Sequence, residues 1–351
     1  MGSKIIGTGI AVPPGVVTNA DLAKVMDTDD AWIRSRSGVA ARHFAEPGVG
    51  SVGLAVSACA AALADAEIGP EHIDAVVSAT MTPDHYAPGN APLIQARLGL
   101  GPVAAFDLRQ QCSGFLYGMD LADALITSGR AETVLVVGSE VHAGHMPFDA
   151  EMWDIVRGRS DAEPLEHQRA RATASRAWSV LFGDGAGAFV MQRGEGETGY
   201  LASKLYSDGT KFDLIMVEGL GFLRQPFVDQ AQLEAGLHVP SMNGRELFRA
   251  AVALMPDAVQ AVLAECGLVS ADLTAVIAHQ ANIRIVEGVR KRVGLDPDQV
   301  PSNIEKYANT TAATLPLLFH ETRPRLDHGD LVAFTAFGSG AHWGAALYRV
   351  P

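Results

Sequence analysis

The sequence predicts an α/β protein made of two similar halves, each a sheet covered by helices. Two observations carry this. Short β-branched apolar runs alternate with longer stretches of helical spacing, and those stretches stop at glycine. The order also repeats: Ala75–Ala79 (AVVSA) and Thr133–Val137 (TVLVV) in the first half are mirrored by Ala275–Ala278 (AVIA) and Leu331–Thr335 (LVAFT) in the second. Identity between the halves is low, so the repeat is one of pattern.

In chain order, Ile5–Val12 reads as an opening strand. The Ala-rich Val52–Ala66 stretch reads as a helix stopped by Ile68-Gly69-Pro70. Ala75–Ala79 is a buried strand, Cys112–Ser128 a helix ending at Gly129, Thr133–Val137 a second buried strand, and Ala186–Met191 a third. Glu246–Cys266 is a long helix interrupted by Pro256, followed by the strand Ala275–Ala278 and the helix Ile283–Val293. Leu331–Thr335 and Ala345–Val350 close the second sheet. The expected division is 1–195 and 196–351. The segment 141–178 breaks the pattern and exceeds an ordinary connection, with short helices expected at Asp149–Arg157 and Glu163–Arg171. It reads either as a surface excursion or as a wall over a substrate entrance.

Composition excludes several function classes. Lys plus Arg is 27 and Asp plus Glu 40, for a net charge of −13 over 351 residues. That acidity argues against a nucleic-acid binder, which needs a basic face. A hydrophobic fraction of 48% excludes disorder. No uninterrupted run of about 18 apolar residues is present, and MGSKIIGTGIAVPPG lacks the pattern of a signal peptide. Three scattered cysteines make no disulfide framework, so a cytoplasmic protein without a membrane partner is expected.

Several residues are candidates for chemistry. Cys112, in RQQCSGF, precedes a helix, where the dipole favours a thiolate; by position it is either a nucleophile or a small buried hydrophobe. Cys59 and Cys266 read as core residues. His279 ends the strand AVIA, where α/β proteins place site residues, and competes with a satisfied core histidine. Asn309, in KYANTTAA, is a pocket residue or a turn cap. The turn Phe337-Gly338-Ser339-Gly340 can aim N–H groups at an oxyanion or be an ordinary glycine turn. His142 and His145 lack the partners for a metal site, and Gly183–Gly187 lacks the Lys-Ser/Thr ending of a phosphate loop.

Cys112, His279 and Asn309 in this order, with WIRSRSG from Trp32, FGDGAG from Phe182, HQANIR from His279 and FGSGAHWG from Phe337, resemble the β-ketoacyl-acyl-carrier-protein synthase III family of thiolase-fold condensing enzymes. The resemblance runs over nearly the whole chain. It implies duplicated βαβαβ halves in five layers, αβαβα. It implies that Cys112 takes an acyl group from a thioester, while His279 and Asn309 hold the carbonyl of a second, malonyl thioester and stabilise the enolate left by decarboxylation. The acyl-transfer oxyanion then sits on the backbone N–H groups of Cys112 and Ser339; many members have glycine at the latter position, and the backbone donor survives the change.

The resemblance further implies that Trp32 and Arg176 sandwich the adenine of coenzyme A, that Arg36, Gly244 and Arg284 lie near the mouth of the pantetheine channel or on the carrier-protein docking face, and that Phe337 binds substrate. No metal or other cofactor is implied; acyl-CoA and phosphopantetheine thioesters are substrates. The implied partners are acyl carrier protein and a second copy of the chain. Because the carrier is itself acidic, docking requires a local basic patch, for which Arg34, Arg36, Arg245, Arg249, Arg284 and Arg290-Lys291-Arg292 are candidates. Two departures favour a donor bulkier than acetyl: the long 141–178 segment, and Ala87 where many members place an aromatic that crosses the dimer interface. The alternative within the class is a specialised enzyme that joins two long acyl chains or transfers an acyl group to oxygen or nitrogen. A non-catalytic subunit would lose Cys112, His279 or Asn309, and all three are present. A degradative thiolase needs a second cysteine in the turn that reads FGSG here.

Overall fold

The computed structural model describes residues 2–194 and 196–351; the expected boundary at 195 falls outside them. The first sheet has five strands in the order Ser3–Ala11, Gly185–Arg193, Thr133–Glu140, Ala75–Ala79, Ala104–Leu108. The last three are mutually parallel and the first two antiparallel to their neighbours. The second sheet repeats this order with one strand fewer: Gly199–Ser207, His342–Arg349, Leu331–Gly338, Ala275–Ala278. Ala75–Ala79 and Ala275–Ala278 stand where the sequence puts them, because a strand buried on both faces leaves a short, mostly apolar run, with Ser78 its one polar residue in the first.

Five layers result. The Ser51–Asp65 helix covers the outer face of the first sheet, through Ala55, Ala58, Cys59 and Ala62. The helices Gly114–Thr127 and Thr314–Thr322 lie between the sheets. Their Phe115, Met119, Leu315 and Phe319 meet Val77, Val136 and Phe189 of one sheet and Ile277, Phe334 and Tyr348 of the other. The helices Gly244–Glu265 and Ile283–Val293 cover the far face of the second sheet. Gly244–Glu265 is long and apolar enough to cross a membrane, but here it lies on that sheet with Leu247, Ala251, Met255, Val259 and Val262 buried. It also runs unbroken through Pro256, contrary to the expected interruption. An interior proline costs about 3 kcal/mol, and burial of Pro256 with the whole apolar face against the sheet offsets it.

The 141–178 segment is mostly not a wall over a cavity. Its helices Ala150–Val156 and Glu166–Ser179 pack Met152, Ile155, Val156 and Ala172 against Leu22, Val25, Met26 and Phe44, a satellite core at the N-terminal end of the chain. The second helix starts three residues later than expected, because Pro164 follows Glu163, and it continues to Ser179.

Candidate active site

Parallel strands of an α/β sheet deliver side chains at their C-terminal ends, and here both sheets deliver them to one cavity. After Ala75–Ala79 comes Met81, after Ala104–Leu108 come Arg109, Gln111 and Cys112, and after Thr133–Glu140 comes His142. From the second sheet, Ala275–Ala278 supplies His279 and Leu331–Gly338 supplies Phe337, Gly338 and Ser339. All of these line a cavity of about 580 Å³, together with Asn309, Gly244 and Asn282. Cys112, His279, Asn309, Ser339, Phe337 and Gly244 are thus brought together as the sequence suggests.

Cys112 occupies a single 3₁₀ turn, Gln111–Ser113, that leads into the Gly114–Thr127 helix. Gln111 holds φ +52°, a left-handed backbone that non-glycine residues seldom adopt. The turn rests on the opposite half: a Cβ at Gly338 would stand 2.8 Å from the Gln110 carbonyl oxygen and 3.0 Å from the Cys112 nitrogen. Gly338→Ala must therefore push the Cys112 turn away. A displacement near 1 Å is worth on the order of 10²-fold, so we expect the acyl-loading rate of Cys112, read by stopped-flow or quench mass measurement, to drop by about that factor with the circular-dichroism spectrum retained.

The helix-dipole expectation for the thiol does not hold in this cavity. Cys112 is nearly fully buried, and burial, reinforced by the Glu140 carboxylate, pushes its thiol up to about 12; its own backbone N–H works the other way without prevailing. Alkylation of Cys112 by iodoacetamide in the free protein should accordingly keep rising about tenfold per pH unit from 7 to 9; a plateau near neutrality would contradict this. Cys59 is buried with its thiol likewise raised, whereas Cys266 caps a helix end and is partly buried, packed against the edge of the core that covers the second sheet.

His279 is 2% exposed and both ring nitrogens lack a partner among the described residues. Burial holds it at about 3, so the ring is neutral and has one N–H to donate into the cavity. Asn309 is oriented by its own loop: its Oδ1 accepts the Thr311 N–H at 2.9 Å, which leaves the amide NH₂ as the free end. The loop is stitched to the first half by Asn309 N–H to the Leu181 carbonyl, 2.8 Å, and Gly183 N–H to the Asn309 carbonyl, 3.1 Å. Glu140 ties the walls together beneath. Its carboxylate, raised by burial, accepts from the Met81 N–H, the Thr82 N–H and hydroxyl, and the Ala312 N–H.

Trp32, Arg36 and Arg176 do not line the cavity but meet each other: the guanidinium of Arg36 lies 4.3 Å and that of Arg176 4.9 Å from the centre of the Trp32 ring. The cluster adjoins the cavity through Asn282, whose side-chain amide donates to the Arg36 carbonyl at 2.7 Å. Arg284 is exposed one turn away, at the start of the Ile283–Val293 helix. Among the basic candidates, Arg34 is paired with Asp30 and Glu305, Arg290 with Glu287 and Arg292 with Asp257. Arg36, Arg245, Arg249 and Arg284 are exposed with no ion pair among the described residues.

Ala87 is exposed and does not reach this chain's cavity, whereas its neighbour Tyr86 lines the rim. Sequence reasoning missed the segment that builds the outer wall. It is residues 215–242, not 141–178, that contribute Ile215, Val217, Leu220, Pro240 and Met242; only His142, His145 and Trp178 of the latter segment reach the cavity. The available signal was the aperiodic apolar string around Leu220, Phe222, Leu223 and Phe227, which neither a strand nor a helix explains.

Comparison with known proteins agrees with this arrangement. The family described as 3-oxoacyl-[acyl-carrier-protein (ACP)] synthase III matches residues 106–153 and 169–209, and its C-terminal counterpart matches residues 263–350. The β-ketoacyl-[acyl-carrier-protein] synthase III of Aquifex aeolicus is 37% identical over 99% of this chain and 100% of its own length. The structure of the Pseudomonas aeruginosa 3-oxoacyl-(acyl carrier protein) synthase III superposes with a TM-score of 0.84 at 37% identity, covering 100% of this chain and 99% of that one. A priming β-ketosynthase from a polyketide biosynthetic pathway gives the same TM-score at 27% identity, covering 99% and 96%. With matches of this length and a thiolase-like five-layered fold around one shared cavity, the chain belongs to the β-ketoacyl-acyl-carrier-protein synthase III family of condensing acyltransferases.

Proposed function

We propose that the chain loads an acyl group from coenzyme A or a carrier protein onto Cys112 and condenses it with a malonyl-acyl-carrier-protein. The observation that carries the reading is the convergence of Cys112, His279 and Asn309 on one buried cavity. In the first half-reaction the Cys112 sulfur adds to the thioester carbonyl, the oxyanion resting on the Cys112 and Ser339 N–H groups. The C–S bond to the carrier breaks, and the cysteine proton leaves with the free thiol. In the second, His279 and Asn309 each donate to the malonyl thioester oxygen; carbon dioxide departs, and the enolate carbon attacks the acyl-enzyme. Cys112 is released as thiolate and regains a proton, and the product is a β-ketoacyl thioester. Trp32 and Arg176 take the adenine, and Arg36, Gly244, Arg284 and Phe337 flank the pantetheine arm. For the adenine to lie between them, Arg176 must lift off Trp32.

The unpaired cations Arg36, Arg245, Arg249 and Arg284 make the docking patch for an acidic carrier protein. The division into halves at 195/196 is supported by the repeated strand order. A homodimer is supported by Ala104–Leu108, an edge strand with Ala104, Ala105 and Asp107 exposed and its outer side unpaired among the described residues. The helix Asn90–Leu98 that follows the Ala87 loop is tied to that strand, since the Ala91 N–H donates to Asp107 at 3.0 Å. The enzyme then works in the cytoplasm. Ala87, set at the dimer face in this reading, leaves the partner's acyl pocket larger than an aromatic would and favours a longer acyl donor, in fatty-acid initiation or in a specialised pathway.

Intact-mass measurement after exposure to a panel of acyl-CoA donors from acetyl to long-chain tests the reading. We expect one acyl adduct, strongest for octanoyl- or decanoyl-CoA. Absence of an adduct from every donor, or equal loading by acetyl-CoA, would contradict the activity and the chain-length reading respectively.

A further inference from the structure

The cavity wall holds an imidazole that the condensation does not use. His142 lies two residues past the Thr133–Glu140 strand, on the sheet that also delivers Cys112, and its side chain lines the cavity. Its Nδ1 stands 2.8 Å from the Gly183 carbonyl oxygen. A carbonyl can only accept, so Nδ1 bears the hydrogen and Nε2 is a bare lone pair. That Nε2 is buried and has no partner among the described residues. The ring is fixed: it stacks on Phe182 with centroids 4.7 Å apart and planes 20° from parallel, and the His142 N–H donates to Asp184 at 2.6 Å. Burial, reinforced by neighbouring His145, holds the ring at about 3, so it stays a neutral acceptor at working pH.

A rigid, unsatisfied acceptor among Leu181, Phe182 and Trp178 is the arrangement that reads one hydroxyl in an otherwise apolar chain. We propose that His142 is a selectivity residue that accepts a hydrogen bond from a hydroxyl on the donor's acyl chain, making hydroxyacyl thioesters the preferred donors. The inference rests on the reading that Cys112 is acylated, and it assigns a substrate class to that same site. The acyl chain is the ligand in this proposal because His142 and Cys112 both follow parallel strands of the first sheet, Thr133–Glu140 and Ala104–Leu108, with only Ala75–Ala79 between them. Asn282, Gly244 and the Trp32 cluster, which serve the pantetheine arm in that reading, belong to other elements.

The test is a competition on the full chain between equimolar decanoyl-CoA and either β-hydroxydecanoyl-CoA or δ-hydroxydecanoyl-CoA, read by intact mass, where the adducts differ by one oxygen. We expect at least one hydroxylated donor to win by about tenfold or more, a preference that His142→Leu brings to about one and that His142→Gln, which keeps an acceptor, partly retains. A ratio near one for both hydroxylated donors in the unaltered protein overturns the inference while leaving acylation intact. So does His142→Leu slowing both donors equally, since Nε2 would then serve the shared pantetheine arm. No adduct from any donor overturns the acylation reading and this inference with it.

Discussion

Cys112→Ala is expected to abolish acyl loading, with the intact mass unchanged by any donor and condensation reduced by at least about 10³-fold. No second thiol can take over. Cys59 is sealed in the outer helix layer and Cys266 lies at the end of a different helix; neither lines the cavity. The substitution removes one sulfur from a turn held by backbone contacts, so the fold should survive with a loss of about 1 kcal/mol. The loss is then one of covalent storage, which divides a single difficult acyl transfer into two easier ones. A variant that still gained an acyl adduct would move the nucleophile elsewhere.

Asn309→Ala is expected to load acyl groups at near the original rate and to lose condensation by about 10² to 10³-fold, the usual effect of removing one donor from a developing oxyanion. Alanine also strips the Thr311 N–H of its acceptor, so a second variant separates chemistry from loop geometry. Asn309→Asp keeps an oxygen for Thr311 but has no NH₂ to offer. If donation to the malonyl thioester is what matters, Asp fails as badly as Ala. If Asp restores condensation, Asn309 only shapes its loop. Loss of loading in either variant would break the division of labour between Cys112 and the His279–Asn309 pair.

The parts of this molecule that were legible in its sequence share a physical reason. Ala75–Ala79 and Ala275–Ala278 lie wholly inside the core and Ile283–Val293 amphipathically against it, so burial leaves continuous apolar runs in the strands and a helical period in the helix. Ala104–Leu108 and Gly199–Ser207 went unread because each borders a sheet and faces mixed surroundings. Their residues AAFDL and GYLASKLYS carry no clean alternation. The three chemical residues were legible through the motifs around them, but the raised thiol of Cys112 was not. It depends on how deeply the turn is buried and on Glu140, which is 28 positions away in sequence and close only once the strands are assembled. The outer wall at 215–242 escaped for the opposite reason, since its apolar residues serve a cavity rather than a core.

The repeated strand order has a counterpart in the turns it supports. Thr311–Ala313 is a 3₁₀ turn that leads into a helix lying between the sheets, as Gln111–Ser113 does, and Thr311 holds φ +45° where Gln111 holds +52°. A Cβ at Gly138 would meet the Ala312 carbonyl at 2.3 Å, much as one at Gly338 would meet the Cys112 turn. The two halves thus build matching turns that face each other, one carrying Cys112 and the other carrying Ala312 three residues after Asn309.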